Sequence, residues 1–497
     1  MTAALQFEAL HRSGEELMAR ASRLAGGLYA LGLREGDVVA VLLRNCEQFV
    51  GIVHAARVAG IYYCPINWHF TAAEVGFLLQ DSGAKALVAH GDLLDAAAAA
   101  LPTGLPLLAV GPSRQSAAID YEAWLARSAD YAGPAVAPRG HMAYTSGTTG
   151  KPKGVLRAPI PLAQLAERQA QILRVVEATF GIRPGCRALL PAPLYHSAPG
   201  VFVQNGLQYA ELFVLLPRFD PEAVLAAIAT YRIDVAYLVP IMFVRLLRLP
   251  AEVRARYDLS SLRFIGSTGA PCPPEVKRAL IEWLGPVVHE TYASSEAGMI
   301  TAIDSHEALA HPGSAGRPVE GAQIRILDEA GRDCLVRTPG LIYVRQPAYP
   351  DFTYRGNDEA RRAIERDGLI SLGDIGYLDE QGYLYVCDRA SDMVISGGVN
   401  IYPAEIENEL MRYPGVADCA VFGVPDAEYG ERLHAVVEPA AGETLTPEAL
   451  IGWLRQHLSG FKVPRSIAIA TLPRDDNGKI AKRRLREAHW VGQSRRV

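Results

Sequence analysis

Helix-period segments and short unbroken apolar runs take turns along the first third of the chain, and this alternation leaves few architectures open. Ser13 with Glu16 forms a capping-box pattern, after which Leu17, Leu24, Leu28 and Leu31 recur on one helical face. Val38 to Leu43 is a continuous apolar run, the pattern of a strand buried on both faces. Thr71 with Glu74 opens another helix, and Ala86 to Ala89 closes on a strand. The pattern resumes at Asp220-Pro221-Glu222, a cap followed by a first-turn proline, and at Val235 to Val239, a strand. Parallel strands need crossovers, and helices are the usual crossovers. The expected fold is therefore α/β, a large N-terminal region of layered, largely parallel sheets with helices.

The last hundred residues read as a separate small α/β unit. Pro403 to Tyr413 is expected as a helix, Asp418 to Val424 and His434 to Glu438 as strands, and Thr446-Pro447-Glu448 as the start of a further helix. Polar residues at Asp388 to Asp392 divide two apolar runs, which places the boundary there: residues 1–389 and 390–497. A length of 497 residues suits several domains of ordinary size.

Charge and cysteine usage exclude some partners. A net charge of −5 gives no reason to expect nucleic acid, and the one basic cluster, Lys479 to Arg486, is short. The seven cysteines form no CxxC pair and are odd in number, the usage of free thiols in a reducing cytosol. Glu8, Arg12, Glu15 and Glu16 interrupt any leader-like apolar core, and Val235 to Val244 is far below the about 20 apolar residues of a membrane span. The expected location is the cytoplasm, without stable membrane insertion.

The chemistry is concentrated in Tyr144-Thr145-Ser146-Gly147-Thr148-Thr149-Gly150-Lys151-Pro152-Lys153-Gly154, which follows a strand pattern at His141 to Tyr144. Glycines let backbone N–H groups turn toward anionic oxygens, and hydroxyls and ammonium groups add donors and charge, so the run suits a polyphosphate. It is not a P-loop, because Gly150-Lys151 is followed by proline rather than Ser or Thr.

This segment resembles the phosphate loop of the adenylate-forming superfamily: acyl- and aryl-CoA synthetases, nonribosomal adenylation domains and beetle luciferases. Further stretches resemble the family in the expected order. Leu194-Tyr195-His196-Ser197 is similar to the loop whose histidine lies between acyl pocket and thiol tunnel. Gly269-Ala270-Pro271 is similar to the backbone against adenine, and Tyr292-Ala293-Ser294-Ser295-Glu296 to the Tyr-Gly-x-Thr-Glu motif. Gly373-Asp374, Asp388-Arg389 and Ser396-Gly397-Gly398-Val399-Asn400-Ile401-Tyr402-Pro403 resemble the ribose and hinge region. Pro473 to Ile480, with Asn477-Gly478-Lys479, resembles the terminal catalytic-lysine motif.

The resemblance implies a small mobile C-terminal domain and a division of roles. Thr145, Ser146, Gly147, Thr148, Thr149, Gly150, Lys151 and Lys153 would cradle ATP phosphates, with Ser295 as a further phosphate contact. Gly269, Ala270, Pro271, Glu290 and Tyr292 would border the nucleotide, Tyr292 by stacking on adenine. Asp374 would accept ribose hydroxyls and Arg389 would touch ribose or phosphate, although a structural ion pair is an open alternative for Arg389. Glu296 would hold Mg²⁺, a cation that takes few carboxylates plus phosphate oxygens. Lys479 would bridge the acid and the α-phosphate. His196 would act where acid and thiol meet, or stand as an ordinary pocket-wall histidine. Ser391 falls at the hinge, where the family commonly has a charged residue, and Ala293 and Ser295 replace the family's glycine and threonine.

For the acid, the resemblance implies a pocket of His196, Val201, Phe202, Val239, Phe243, Ser267 and Ala293. Pro199 to Val203 and Leu238 to Phe243 carry no charge, so an apolar aliphatic or alicyclic carboxylic acid is expected over a dicarboxylate. Ser396, Gly397, Gly398 and Lys462 resemble the coenzyme A contacts of such ligases. The implied reaction joins acid, ATP and coenzyme A into acyl-CoA, AMP and diphosphate. An acyl-AMP ligase serving a carrier protein, a non-catalytic nucleotide- or acyl-binding protein and a luciferase-like oxygenase remain alternatives on the same fold, and a homodimer is left open.

Overall fold

The computed structural model describes residues 3–145, 152–397, 399–474 and 480–490, with Arg483 by its backbone alone. Two parallel sheets form the large region. One has five strands in the order Tyr62–Pro65, Val38–Leu42, Ala86–His90, Leu107–Val110, Ile119–Asp120, all parallel. The second has seven, running from Val288–Glu290 through Phe264–Ser267, Val235–Tyr237, Arg187–Leu190 and Leu212–Leu215 to Ala4–Phe7, with Leu10–Arg12 added antiparallel at its edge. The unbroken apolar run of the Val38–Leu42 strand is explained by its two neighbours in space. Val39 and Val41 enter the core shared with the second sheet, and Val38, Ala40 and Leu42 enter a core on the other face.

The capping signals act as expected. The Ser13 hydroxyl accepts from the Glu16 N–H and the Glu16 carboxylate accepts from the Ser13 N–H, opening the Gly14–Ala30 helix; Thr71 and Glu74 do the same for Ala72–Ser82. Asp220 caps Pro221–Tyr231. The strand expected through Val239 stops at Tyr237, because Val239 is already the cap of the Pro240–Leu247 helix. The strand expected from His141 begins at Ala143, since His141 forms only an isolated bridge to Tyr63.

A mostly antiparallel sheet follows, built on Gln323–Leu327, Gly340–Arg345, Leu369–Leu378 and Leu384–Arg389. Sheet membership then changes within five residues. Arg389 is the last residue paired to the Leu369–Leu378 strand, whereas Val394 pairs with Ile401 in a five-stranded sheet of the C-terminal segment. That sheet is centred on the long pair Val416–Asp426 and Gly430–Pro439, with the Pro403–Met411 and Pro447–His457 helices packed on one face through Ile406, Leu410, Leu450 and Leu454. All seven cysteines are unpaired. Among the described residues no helix is long and apolar enough to cross a membrane.

Candidate active site

A cleft of about 1890 Å³ opens between these units, larger than a pocket for one small molecule. The Ala143–Thr145 and Lys153–Arg157 strands deliver the ends of the Ser/Thr/Gly/Lys loop to its wall, pairing Thr145 with Lys153. Ser146, Gly147, Thr148, Thr149, Gly150 and Lys151 lie outside the described residues. Lys153 is in the cleft, its ammonium 5.1 Å from the centre of the Tyr354 ring.

Beside that strand end lies Glu296, buried and without a cationic partner among the described residues. Its Oε1 accepts from the Thr145 hydroxyl at 3.0 Å and from the Tyr354 phenol at 3.2 Å. Burial and the neighbouring Glu296 carboxylate both push the Tyr354 phenol pKa up, so it remains a neutral donor. The backbone of this turn is held from below. Arg157 donates to the carbonyls of Ser295 at 2.8 Å and Glu296 at 2.9 Å, which holds the backbone that carries both side chains. Ser295 and Ala293 line the cleft, Ala293 from a two-residue strand paired with Gly298–Met299.

Tyr292, Asp374 and Arg389 form one chain of contacts in the same cleft. The Tyr292 phenol donates to Asp374 Oδ2 at 2.5 Å, and Arg389 Nε lies 2.9 Å from Oδ1. Asp374 and Arg389 are direct partners across the Leu369–Leu378 and Leu384–Arg389 strands, so the backbone register imposes their contact. A carboxylate offers about four acceptor positions, and two are used. The alternative left open for Arg389, a structural ion pair, is therefore present here. Gly269, Ala270 and Pro271 also line the cleft, and Gly269 takes φ +93°, a conformation glycine adopts without strain.

Glu290 reaches the cleft wall in a form the sequence did not suggest. It is buried and lies 2.9 Å from the ammonium of Lys277, itself buried on the Pro274–Leu284 helix. Burial acts against the charge on Lys277 and Glu290 acts for it, with a net rise in its pKa. The pair is neutral as a unit and ties that helix to the Val288–Glu290 strand.

The acyl-pocket residues divide by helix face. His196 caps the Ser197–Tyr209 helix and lies in the cleft with Val201. Phe202 does not: it is fully buried against Phe180, Phe213 and Tyr237. Positions 201, 204, 205 and 208 share the cleft face at helical spacing, and 202, 203, 206 and 207 face the core. Val239 lines the cleft with Ile241 and Val244, while Phe243 is turned into the core. Ser267 is also buried away from the cleft lining. Three expected pocket residues are thus core residues, and Gln204, Asn205 and Gln208 stand in the wall instead.

The described coenzyme A candidates do not line this cleft. Ser396 ends the Val394–Ser396 strand and Gly397 follows it, both outside the cleft lining, and Lys462 is paired with Glu405 at 2.7 Å. Gly398 and Lys479 lie outside the described residues. Arg474 and Ile480, on either side of the 475–479 stretch, both line the cleft. The hinge candidate is held by the last described helix, Lys482–Glu487. Arg486 donates to the Ser391 carbonyl at 2.9 Å and to Asp392 at 3.2 Å, and Lys482 pairs with half-buried Glu407 at 2.7 Å. Burial raises the pKa of Glu407 and of Asp388, with Lys482 opposing in each case.

Comparison with known proteins agrees with this geometry. The family model described as AMP-binding enzyme matches residues 2–350, and that of the AMP-binding enzyme C-terminal domain matches residues 405–479. A feruloyl-CoA synthase from Amycolatopsis is 36% identical over 474 residues, covering 95% of this chain and 92% of that protein. The amide bond synthetase McbA of Marinactinospora thermotolerans superposes with a TM-score of 0.86 at 28% identity, covering 98% and 97% of the two chains. The o-succinylbenzoate CoA synthetase of Bacillus subtilis, solved with its acyl-adenylate intermediate, gives a TM-score of 0.82 at 28% identity over 97% and 94%.

Proposed function

Because this chain belongs to the family of AMP-binding enzymes, we propose that it is an ATP-dependent ligase that joins a carboxylic acid to coenzyme A through an acyl adenylate. The observation that carries the reading is Glu296: a buried carboxylate without a cationic partner among the described residues, in one cleft with the strand ends of the Ser/Thr/Gly/Lys loop and with the Tyr292–Asp374 pair. The curated relative and one of the structural neighbours are themselves named as CoA synthases.

The chemistry follows from the poor leaving group of a free carboxylate. A carboxylate oxygen attacks the α-phosphorus of ATP and diphosphate departs; the thiolate sulfur then attacks the acyl carbon and AMP departs. Charge at phosphorus in the first step calls for positioned N–H donors and cations, the role assigned to residues 145–153 and to Lys479. Among the described residues no three metal-ligating side chains form a cage. Magnesium needs none here, since one carboxylate with phosphate oxygens suits it, and among the described residues Glu296 accepts from two neutral hydroxyls. Glu296 would hold Mg²⁺, which supplies charge neutralisation on the phosphates. Asp374 keeps two acceptor positions for the ribose hydroxyls, and its bond to Tyr292 fixes the ring offered to adenine. His196 stands where acid and thiol would meet.

The near part of the acyl site is apolar, with Val201, Val239 and Ile241 on the cleft, which favours an acid with an aliphatic or alicyclic body. The proposed domains are residues 1–389 and 390–497, with Ser391 as hinge. Rotation there would bring Gly397 to a cleft that it does not line here. The test is a screen of acids for AMP and diphosphate release that requires both acid and coenzyme A. Release of ADP and phosphate instead would contradict the reading.

A further inference from the structure

The far end of the acyl site is not charge-free. Arg57 sits in the last turn of the Glu47–Ala59 helix, within a run that is otherwise apolar from Phe49 except for His54. Its side chain lines the cleft and is half-buried. Its hydrogen bond is a long one, 3.4 Å from Nη2 to the Gln208 side-chain oxygen, and no carboxylate among the described residues pairs with it. Burial draws its pKa down without an acidic neighbour to offset the loss of water. A guanidinium carries five donors, and one of them meets an acceptor among the described residues, so the site can gain from an oxygen acceptor in the cleft.

The wall leading to Arg57 changes character in one direction. Along the cleft face of the Ser197–Tyr209 helix the residues run from Val201 to Gln204 and on to Gln208. Gln204 is fixed by bonds from its Nε2 to the Tyr63 phenol at 2.8 Å and to His141 Nδ1 at 3.2 Å. Burial lowers the His141 pKa to about 4, so the ring is neutral near pH 7 and Nδ1 can accept. An apolar stretch followed by a fixed polar wall and an unpaired cation matches a molecule with an apolar body and an oxygen at its tip.

We propose that the acid this enzyme activates carries a terminal oxygen acceptor, a carboxylate or a ketone, bound by Arg57 at the far end of the cleft. This rests on the reading of the cleft as an acid-activating site. The helix sets the length. Ser197 beside His196 and Gln208 beside Arg57 are separated by about 16 Å along the axis at 1.5 Å per residue. Side chains shorten the gap to roughly 12–16 Å, or about 10–13 bonds at the advance of an extended chain. Malonate and succinate are too short to reach.

The test compares kcat/KM for AMP release with methyl-ended, ketone-ended and carboxylate-ended straight-chain acids of matched length. It is run on the native enzyme, Arg57→Met and Arg57→Lys. The native enzyme should prefer at least one oxygen-ended series by about tenfold or more at the longer lengths, and the two oxygen-ended series separate an anionic from a neutral acceptor. Arg57→Met should abolish that preference while turning over methyl-ended acids within about threefold of native, which also reports an intact fold. Arg57→Lys should keep part of it. Equal or better turnover of methyl-ended acids by the native enzyme overturns the proposal, as does a preference that survives Arg57→Met. AMP release from no acid at all would overturn the ligase reading and this proposal with it.

Discussion

At the scale of single residues, the account turns on charges that burial makes consequential. Glu296 is buried and, among the described residues, only neutral hydroxyls donate to its carboxylate, so Glu296→Gln preserves shape and those contacts and removes one charge. Adenylation, read by acid-dependent diphosphate exchange at fixed Mg²⁺, should fall by about 10² or more with the melting temperature unchanged; near-native exchange at low Mg²⁺ would place the metal elsewhere. His54 gives a stability test. Burial lowers its pKa to about 3, against about 6.5 in the unfolded chain. Between these values the unfolded state binds the extra proton. The contribution of neutral His54 is therefore complete above pH 6.5 and lost as pH falls toward 3, at about 1.4 kcal/mol per pH unit. His54→Leu should flatten the acid side of the stability profile by up to one proton; an unchanged slope would show that His54 does not drive it. Glu296 and Asp374 were legible in the sequence because their motifs surround them. Arg157, Lys277 and Arg57 were not, because each acts through a partner distant in the chain. Arg57 did leave a signal, a lone cation in an apolar helical run.

At the scale of elements, period decided what was legible. Capping boxes at Ser13 and Thr71 and the apolar run at Val38 are local signals, and the expected helices and strand form there. The acyl pocket expected from the contiguous segment Pro199 to Val203 is split by the structure, with Val201 on the cleft and Phe202 in the core. A helix places adjacent residues about 100° apart, so Val201 and Phe202 face different environments. The difference is testable. Phe202→Ala should cost about 3–5 kcal/mol of stability by opening a cavity in the core, and leave the ranking of acids unchanged. Val201→Phe should do the opposite, cutting turnover of bulky acids by about tenfold or more with little change in melting temperature. Reversed effects would mean that the helix faces are exchanged.

At the scale of the whole molecule, one cleft must serve two steps with different needs. Arg474 and Ile480 line the cleft, whereas Ser396 and Gly397 do not. Arg486 grips the Ser391 carbonyl and Asp392, so the segment that would turn is held by the helix that follows Lys479 in sequence. Lys479→Ala should abolish acyl-AMP formation yet still transfer a supplied acyl-AMP to coenzyme A. Ser391→Pro, which fixes φ at the proposed hinge, should accumulate acyl-AMP. Equal loss of both half-reactions in both folded variants would contradict alternation. The central claim, that the acid passes through an adenylate, is tested most directly by turnover of a carboxylic acid labelled with ¹⁸O in both carboxyl oxygens. The oxygen that attacks phosphorus leaves with AMP when the thiol displaces it. The account predicts one ¹⁸O in each AMP released and one in each thioester. AMP without label, or label appearing in inorganic phosphate beside ADP, would contradict it.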